Sequence, residues 1–442
     1  MPMTRQKNLL AALVVGLLLI SGCASSRLTS AREAFINNGD LQSAVQIMDK
    51  GSDSVRSKLL YYMEKGLLLH HAGRFGESID ELRKASDLMA RQDYLSLSQQ
   101  TASLLINDWM TDYKGEYCER MWVHTYLMIN YLMIYQYESA LVEAKQALKV
   151  YDAYPEALSE AYFSMALIGL CYEVLDEYND AYIVYRRLAK MLPDPVAVRD
   201  SLYRMGRLAG IEDAAIKEAL GFSTDPPPRQ TSRNTGDLVL FIGMGKGPVK
   251  VSGEILLPPG LRYSFPQYKS RGGSFRFVDL YDLDHHLSPA IVTTNLNRVA
   301  ETSLGERAKQ IHIKESTRVT AKEVLVQGVQ QKTDSVVGLM ARVVLIATEE
   351  ADTRSWHTLP ARNALLRLPL EAGTHHIRVR LGGASGNAVV ELPPLTLPKG
   401  RRIFFALRAN DNFTSIYGQT SPENQQAAGD SDTALVPENK PQ

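Results

Sequence analysis

From about residue 30 to residue 221 the apolar positions recur three and four apart, which is the spacing of amphipathic helices. From residue 237 they alternate or run together, which is the spacing of strands. Between the two patterns lies Ser223-Thr224-Asp225-Pro226-Pro227-Pro228-Arg229, polar and proline-rich, which reads as a semi-rigid linker. Strands are predicted at Asp237–Gly243, Val249–Leu256, Ser274–Asp279, Ala364–Leu370, His375–Leu381, Val389–Leu392 and Arg401–Leu407. A helical insertion, about 303–351, separates the two strand groups. Its apolar end, SVVGLMARVVLIA, is too short and interrupted to span a bilayer and suits a helix buried against a sheet.

The helical half repeats itself. In MALIGLCY followed by EYNDAYIVY, Gly169 lets a second helix come close and Ala181 is the small residue that meets it. Tyr172 and Tyr185 fill the space between, and Pro193 stops the second helix. This arrangement resembles a tetratricopeptide repeat. Gly66 and Ser78 hold the same two positions in GLLLHHAGRFGESIDELRKA. Ala44 and Ala140 fit the second position in two further units, whose first position is taken by Arg32 and Met128. Ala44 and Ser78 stand 34 residues apart, the period of such repeats, and the segment 92–119 interrupts the array further on. The fold expected is α + β multidomain: a helical hairpin array over 23–222, a linker over 223–236, a β-rich domain over 237–409 and a disordered tail over 410–442.

Lys+Arg and Asp+Glu both number 49, so there is no basic excess of the kind nucleic-acid binders carry. The first residues are not part of the fold. Arg5 and Lys7 precede an apolar run from Leu9 to Ile20, which suits a signal-peptide core over 1–22. Ile20-Ser21-Gly22-Cys23 resembles a bacterial lipobox, which implies acylation of Cys23 and a lipid-anchored mature N-terminus. Ala24 and Ser25 follow without an aspartate, which points to the outer membrane. Cys118 and Cys171 lack the spacing of a CxxC or zinc site. An oxidising compartment permits a disulfide between them, and two buried thiols are the default expectation.

Three stretches carry a second resemblance: TDYKGEYCER, LVLFIGMGKGPVKVSGEILLPPGLRYSFPQY and SWHTLPARNALLRLPLEAGTHHIRVRL. They are similar to an uncharacterised family of Gram-negative outer-membrane lipoproteins that pair a tetratricopeptide-like half with a β-rich half. The resemblance implies the anchor and the two-part layout, and it brings no activity with it.

GMGKGPVK, Gly243 to Lys250, is the stretch most like a phosphate loop. A Walker loop needs Ser or Thr after its lysine and a helix beyond, whereas Gly247 and Pro248 follow Lys246 and lead into a strand. A turn between strands is the expectation, with no nucleotide and no other cofactor. His70-His71, His285-His286 and His375-His376 are adjacent pairs whose members diverge on a helix or strand. No metal site and no catalytic residues are expected, and HExxH and GxSxG are absent.

The function these features imply is a non-enzymatic scaffold in the cell envelope, binding another envelope protein through the helical array, in secretion, polysaccharide export or envelope assembly. The alternative is an envelope hydrolase or metalloenzyme using Asp279, Asp282, His285 and His286, with Asp284 in the same acidic loop. In the repeat frame the concave groove is lined by Leu60, Met63 and Leu67, then Trp122, Ile129 and Met133, then Phe163, Leu170 and Val174. So apolar a groove needs a cover. Shielding even 400 Å² is worth on the order of 10 kcal/mol before ordering costs. Either the chain fills the groove or an amphipathic helix of the partner does.

Overall fold

The computed structural model describes residues 26–52, 54–98, 112–212, 214, 217, 234–257, 261–272, 275–308, 351–383 and 386–419. The signal peptide with Cys23, nearly all of the linker, residues 99–111 and residues 309–350 lie outside the described residues.

Among the described residues four helical hairpins follow one another: α1 (Ser26–Ile36) with α2 (Leu41–Asp49), α3 (Lys58–His71) with α4 (Phe75–Ser98), α5 (Tyr117–Met133) with α6 (Tyr137–Ala153), and α7 (Tyr162–Val174) with α8 (Tyr178–Met191). A further helix, α9 (Val196–Leu208), follows them. The turns fall at Gly39, Gly73, Tyr135 and Asp176, each with positive φ. The α3–α4 and α7–α8 hairpins pack at equivalent positions. A methyl group on Gly66 would lie 2.6 Å from Leu82 Cγ, and one on Gly169 would lie 2.6 Å from Tyr185 Cε1. Leu82 and Tyr185 each stand four residues after the small residue of the second helix, Ser78 or Ala181. Ser78 Oγ also donates to the Gly66 carbonyl at 2.6 Å. Tyr185 is buried, so its ring has little freedom to move away. Gly169→Ala is therefore expected to lose about 1–3 kcal/mol in thermal unfolding. Gly76→Ala, where an added methyl meets nothing within 4 Å, should leave the protein as stable or slightly more so. Equal melting temperatures for the two variants would contradict this packing.

The second half is a two-layered β structure. A five-stranded sheet has the order β13-β12-β1-β7-β6 and a four-stranded sheet the order β10-β9-β4-β5. The first comprises β1 (Thr235–Met244), β6 (Ala290–Asn295), β7 (Arg362–Glu371), β12 (Arg402–Asn410) and β13 (Phe413–Gly418). The second comprises β4 (Phe277–Asp282), β5 (His285–Leu287), β9 (Ile377–Gly383) and β10 (Gly386–Glu391). Two ribbons complete it, β2 (Val249–Leu257) with β3 (Leu261–Lys269), and β8 (Gly373–His375) with β11 (Leu395–Leu397). A helix, α10, runs over 296–308.

The five-stranded sheet is buried on both faces. Leu238, Leu240 and Ile242 of β1 pack with Leu280 of β4 and Val379 of β9 in one core. Val239 and Phe241, pointing the other way, belong to a second core that includes the helices of the array. This explains the unbroken apolar run LVLFIGM, which reads as a strand covered on both sides.

Two expectations need correction. The tail was expected to be disordered from residue 410, yet β13 pairs with β12 from Asn410↔Phe413 to Phe405↔Gly418. Five or six strand residues are enough to satisfy an edge, and the polar composition around them conceals the strand. The helical insertion starts at 296, seven residues before 303, and the rest of it, 309–350, lies outside the described residues. The expected layout of helical array followed by β-rich region holds, and the two share one core.

Candidate functional site at the seam of array and sheet

Of the two covers expected for the apolar groove, the chain itself is the one found. Leu60, Met63, Leu67, Trp122, Ile129, Met133, Phe163 and Leu170 are buried, and Val174 is half-buried against the same core. The same core takes in residues of the second half: Leu296, Val299 and Ala300 of α10, Trp356 and Leu359 of the irregular segment before β7, and Phe404 and Ala406 of β12. A free partner groove is thus excluded at these positions. The physical reason is the one that made the groove conspicuous, the gain from burying a large apolar surface, and the sheet lies close enough to realise it.

What the sequence reading missed is a row of buried carboxylates on the first helices of the hairpins, each aimed at the second half. On α3, Glu64 accepts hydrogen bonds from the backbone N–H of His357 at 2.9 Å and of Thr358 at 3.1 Å, and from the Thr358 hydroxyl. Arg32 of α1 donates to the same carboxylate at 2.7 Å and to the Ser355 carbonyl at 2.7 Å. Arg32 departs from the small residue of the repeat frame because it is part of this junction. At the start of α5, Glu119 accepts from the Trp356 N–H at 2.8 Å and from the Tyr113 hydroxyl. Just before the helix, Glu116 meets Lys250 Nζ at 2.9 Å and Arg307 Nη1 at 2.7 Å. Burial alone would raise the Glu116 pKa, but Lys250 and Arg307 outweigh it and hold the carboxyl down at about 2. On α7, Glu173 is gripped by Arg204, Arg367 and Arg402 and by the Tyr185 hydroxyl. There too burial is overridden, and the three guanidinium groups hold the carboxyl well below its ordinary range. Asp237 of β1 lies 3.4–3.5 Å from the same three arginines.

The second half also completes the ends of the array's helices. The Thr294 hydroxyl of β6 accepts from the Phe163 N–H at 2.7 Å, and the Ser303 hydroxyl of α10 accepts from the Cys118 N–H at 3.3 Å. Gln419 Nε2 donates to the carbonyls of Leu132 and Met133 at the end of α5, at 3.1 and 2.9 Å. Helix termini leave such groups without intrahelical partners, and here the partners come from across the seam. One signal was available in the sequence. Glu64 in YYMEKGLLL and Glu173 in LCYEVL interrupt apolar helical stretches, where a carboxylate must find a buried partner.

The glycine stretch has no cradle for phosphate. The Gly245 N–H donates to the Ala409 carbonyl and the Gly247 N–H to the Leu359 carbonyl, both at 2.8 Å. A methyl on Gly247 would lie 2.6 Å from the Leu359 oxygen, so this glycine is set by close approach of backbone to backbone. Lys246 faces Asp411 at 3.7 Å, and Lys250 is committed to Glu116. The stretch joins β1 to β2, which belong to different sheets.

The acidic and histidine residues of the enzyme alternative do not converge. Asp279 and Asp282 lie on opposite faces of β4. Asp279 pairs with Arg380 at 3.1 Å. Asp282 takes His375 Nδ1 at 2.6 Å and the His376 N–H at 3.0 Å. His286 packs edge-on to Tyr281, and His285 and Asp284 are exposed. Among the described residues no three metal-ligating side chains come together. His70 Nδ1 lies 2.6 Å from Asn130 Oδ1 inside the array. Cys118 and Cys171 are buried free thiols.

No protein-family model matches the chain, and no curated protein matches it. Among solved structures it is similar to the nearly identical TPR-like repeats of a candidate kinesin light chain of Podosopora anserina, at 16% identity and a TM-score of 0.32, over 44% of this chain and 92% of that one. A single-residue variant of the same repeats matches with the same values: 16% identity, a TM-score of 0.32, and 44% and 92% of the two chains. The tetratricopeptide-like character rests on the hairpins themselves: the Gly66–Leu82 and Gly169–Tyr185 contacts and the regular succession of four helical pairs.

Proposed function

We propose that this chain is a non-catalytic interaction scaffold of the cell envelope, lipid-anchored through Cys23 to the outer membrane and facing the periplasm, where it holds another envelope protein. The observation that carries the reading is the helical hairpin array, an architecture that presents extended surfaces to partners. The array is locked to the sheet by buried ion pairs, so it offers a rigid body whose outward faces are available. Val142 of α6 and Ile183 of α8 hold the same frame position, two residues after the small residue, and both are exposed. Partner contacts belong on that outward side of the second helices, since the concave side is occupied. The buried ionisable groups at the seam are matched to one another as structural pairs, which favours a scaffold over a hydrolase. The anchor is supported by the lipobox-like ISGC alone. Among the described residues no helix is long and apolar enough to cross a membrane.

Two measurements test this. Cys23→Ser should leave the protein unprocessed or soluble after cell fractionation, and recovery of that variant in the outer membrane would exclude lipid anchoring. In-cell crosslinking should capture a defined envelope protein with the wild type. A Val142→Asp, Ile183→Asp variant should stay folded and lose it. Unchanged capture by the folded double variant would move the contact elsewhere.

A further inference from the structure

At the seam the buried carboxylates are each met by cations or N–H groups, but among the described residues one buried cation stands apart. Arg408 of β12 is 3% exposed. Its Nη1 donates to the carbonyls of Gly243 at 3.3 Å and Ala409 at 2.8 Å, and its Nη2 to that of Gly245 at 2.6 Å. Three carbonyl oxygens orient the guanidinium without neutralising it, and its Nε has no hydrogen-bond partner. The carboxylate whose charge reaches it, Asp411, is also drawn to Lys246.

Three further buried side chains with an unpartnered polar atom gather on the same face. Asn410, two residues further along β12, has a free Nδ2, and Ser415, the cross-strand neighbour of Arg408 on β13, has a free Oγ. His71, at the end of α3, has a free Nε2. Their exposures are 4%, 6% and 4% in that order. Phe35 ties the set together. His71 stacks on its ring at 5.6 Å, and the Arg408 guanidinium carbon lies 5.9 Å from the ring centroid. Phe413, the cross-strand neighbour of Asn410, meets Phe35 edge-on at 5.3 Å.

We propose that Arg408 Nε, Asn410 Nδ2, Ser415 Oγ and His71 Nε2 form a buried binding site for a small monovalent anion, with chloride as its occupant. All four groups can donate a hydrogen bond, His71 as its neutral Nε2–H tautomer. A buried cation and several unmatched donors are each destabilising, and one anion offsets all of them at once. Burial already lowers the Arg408 pKa to about 10, consistent with a charge short of compensation. A phosphate or a carboxylate ligand shares the recognition chemistry. Both are larger, and the low exposure of all four side chains leaves no route for a tail.

The test uses the full-length protein. Thermal unfolding is followed at fixed ionic strength while gluconate is replaced by chloride, and crystals grown in bromide are measured at the bromine edge. The melting temperature should rise by about 3 °C for each hundredfold increase in chloride above its Kd. An anomalous peak should lie beside Arg408 Nε. Asn410→Asp places a fixed negative charge in the site and should fold, keep its stability and lose the chloride response. Ser415→Ala should weaken the response without abolishing the fold. A wild type indifferent to chloride and free of bromide at Arg408 would overturn the proposal. So would stabilisation by phosphate or acetate but not by chloride, and so would an undiminished chloride response in Asn410→Asp.

Discussion

Glu173→Gln should destabilise the protein by about 3–5 kcal/mol, the magnitude expected when one partner is removed from a buried ionic cluster. The side chain of Glu173 is 1% exposed and accepts from Arg204, Arg367 and Arg402, which belong to α9, β7 and β12 respectively. Glutamine has nearly the same shape but no charge, and one end of its amide would point N–H groups at guanidinium groups. Three cations would then share Asp237 alone, itself a weaker partner at 3.4–3.5 Å. Loss of packing is not the cause here, which separates this variant from a truncation to alanine. Because β1, β7 and β12 share a core with the helices, array and sheet should unfold in one transition at a lower denaturant midpoint. A variant melting within 2 °C or so of the wild type would show that the cluster orients the halves without stabilising them.

The helices were legible because their information is local. A small residue at each hairpin contact, a turn residue with positive φ and an apolar stripe are all set within some thirty residues, and all four hairpins follow. The strands β1, β9 and β12 were legible because β-branched and aromatic runs are rarely anything else, and β7 because its apolar residues Ala364, Leu366, Leu368 and Leu370 alternate. β3 and β13 were not. PQYK and TSIYG are polar enough to pass for loop, and only pairing with β2 and β12 makes them strands. The groove is legible as apolar and in need of a cover, with the chain itself as one of the two covers expected, but which segment supplies it is not legible, because nothing in a helix reports which distant segment packs on it. Leu296, Trp356 and Phe404 come from three separate parts of the second half. The carboxylates Glu64, Glu116, Glu119 and Glu173 were passed over for a related reason. A single Glu in a helix is ordinarily a solvated residue, and its burial follows only once its partners are in place. Arg32 illustrates the point from the other side, since its misfit to the repeat was the trace of a contact made outside the repeat.

Acidification should loosen the array and its seam in two steps, and the first begins well above the carboxylate range. Burial lowers the pKa of His70 to about 4, against a smaller opposing effect of Asn130, and lowers that of His357 to about 2 with help from Arg32, Arg271 and Lys250. In the unfolded chain both titrate near the ordinary value of about 6.5. Between that value and the folded pKa the unfolded state binds protons that the native state refuses, so stability falls as pH falls. The contribution is complete above pH ~6.5 and is lost progressively below it, by about 3–4 kcal/mol from pH 7 to pH 5 for the two histidines together. The second step belongs to Glu116, held at about 2, and to Glu173, Asp237 and Asp352, all held below their ordinary values by neighbouring cations that outweigh burial. Their contribution is present above about pH 4.5 and disappears as the pH falls towards 2. Glu119 works in the opposite sense, since burial raises its pKa and its proton is held more tightly in the native state. Urea unfolding at pH 7, 6 and 5 should therefore show a midpoint that drops before the cation-paired carboxylates titrate. Replacing His70 and His357 by glutamine should reduce that drop to the part that belongs to His71, whose pKa burial also holds well below its ordinary value, while leaving the steeper loss below pH 4.5. A midpoint that holds steady from pH 7 to pH 5 in the wild type would mean that these two imidazoles are not kept neutral by the fold.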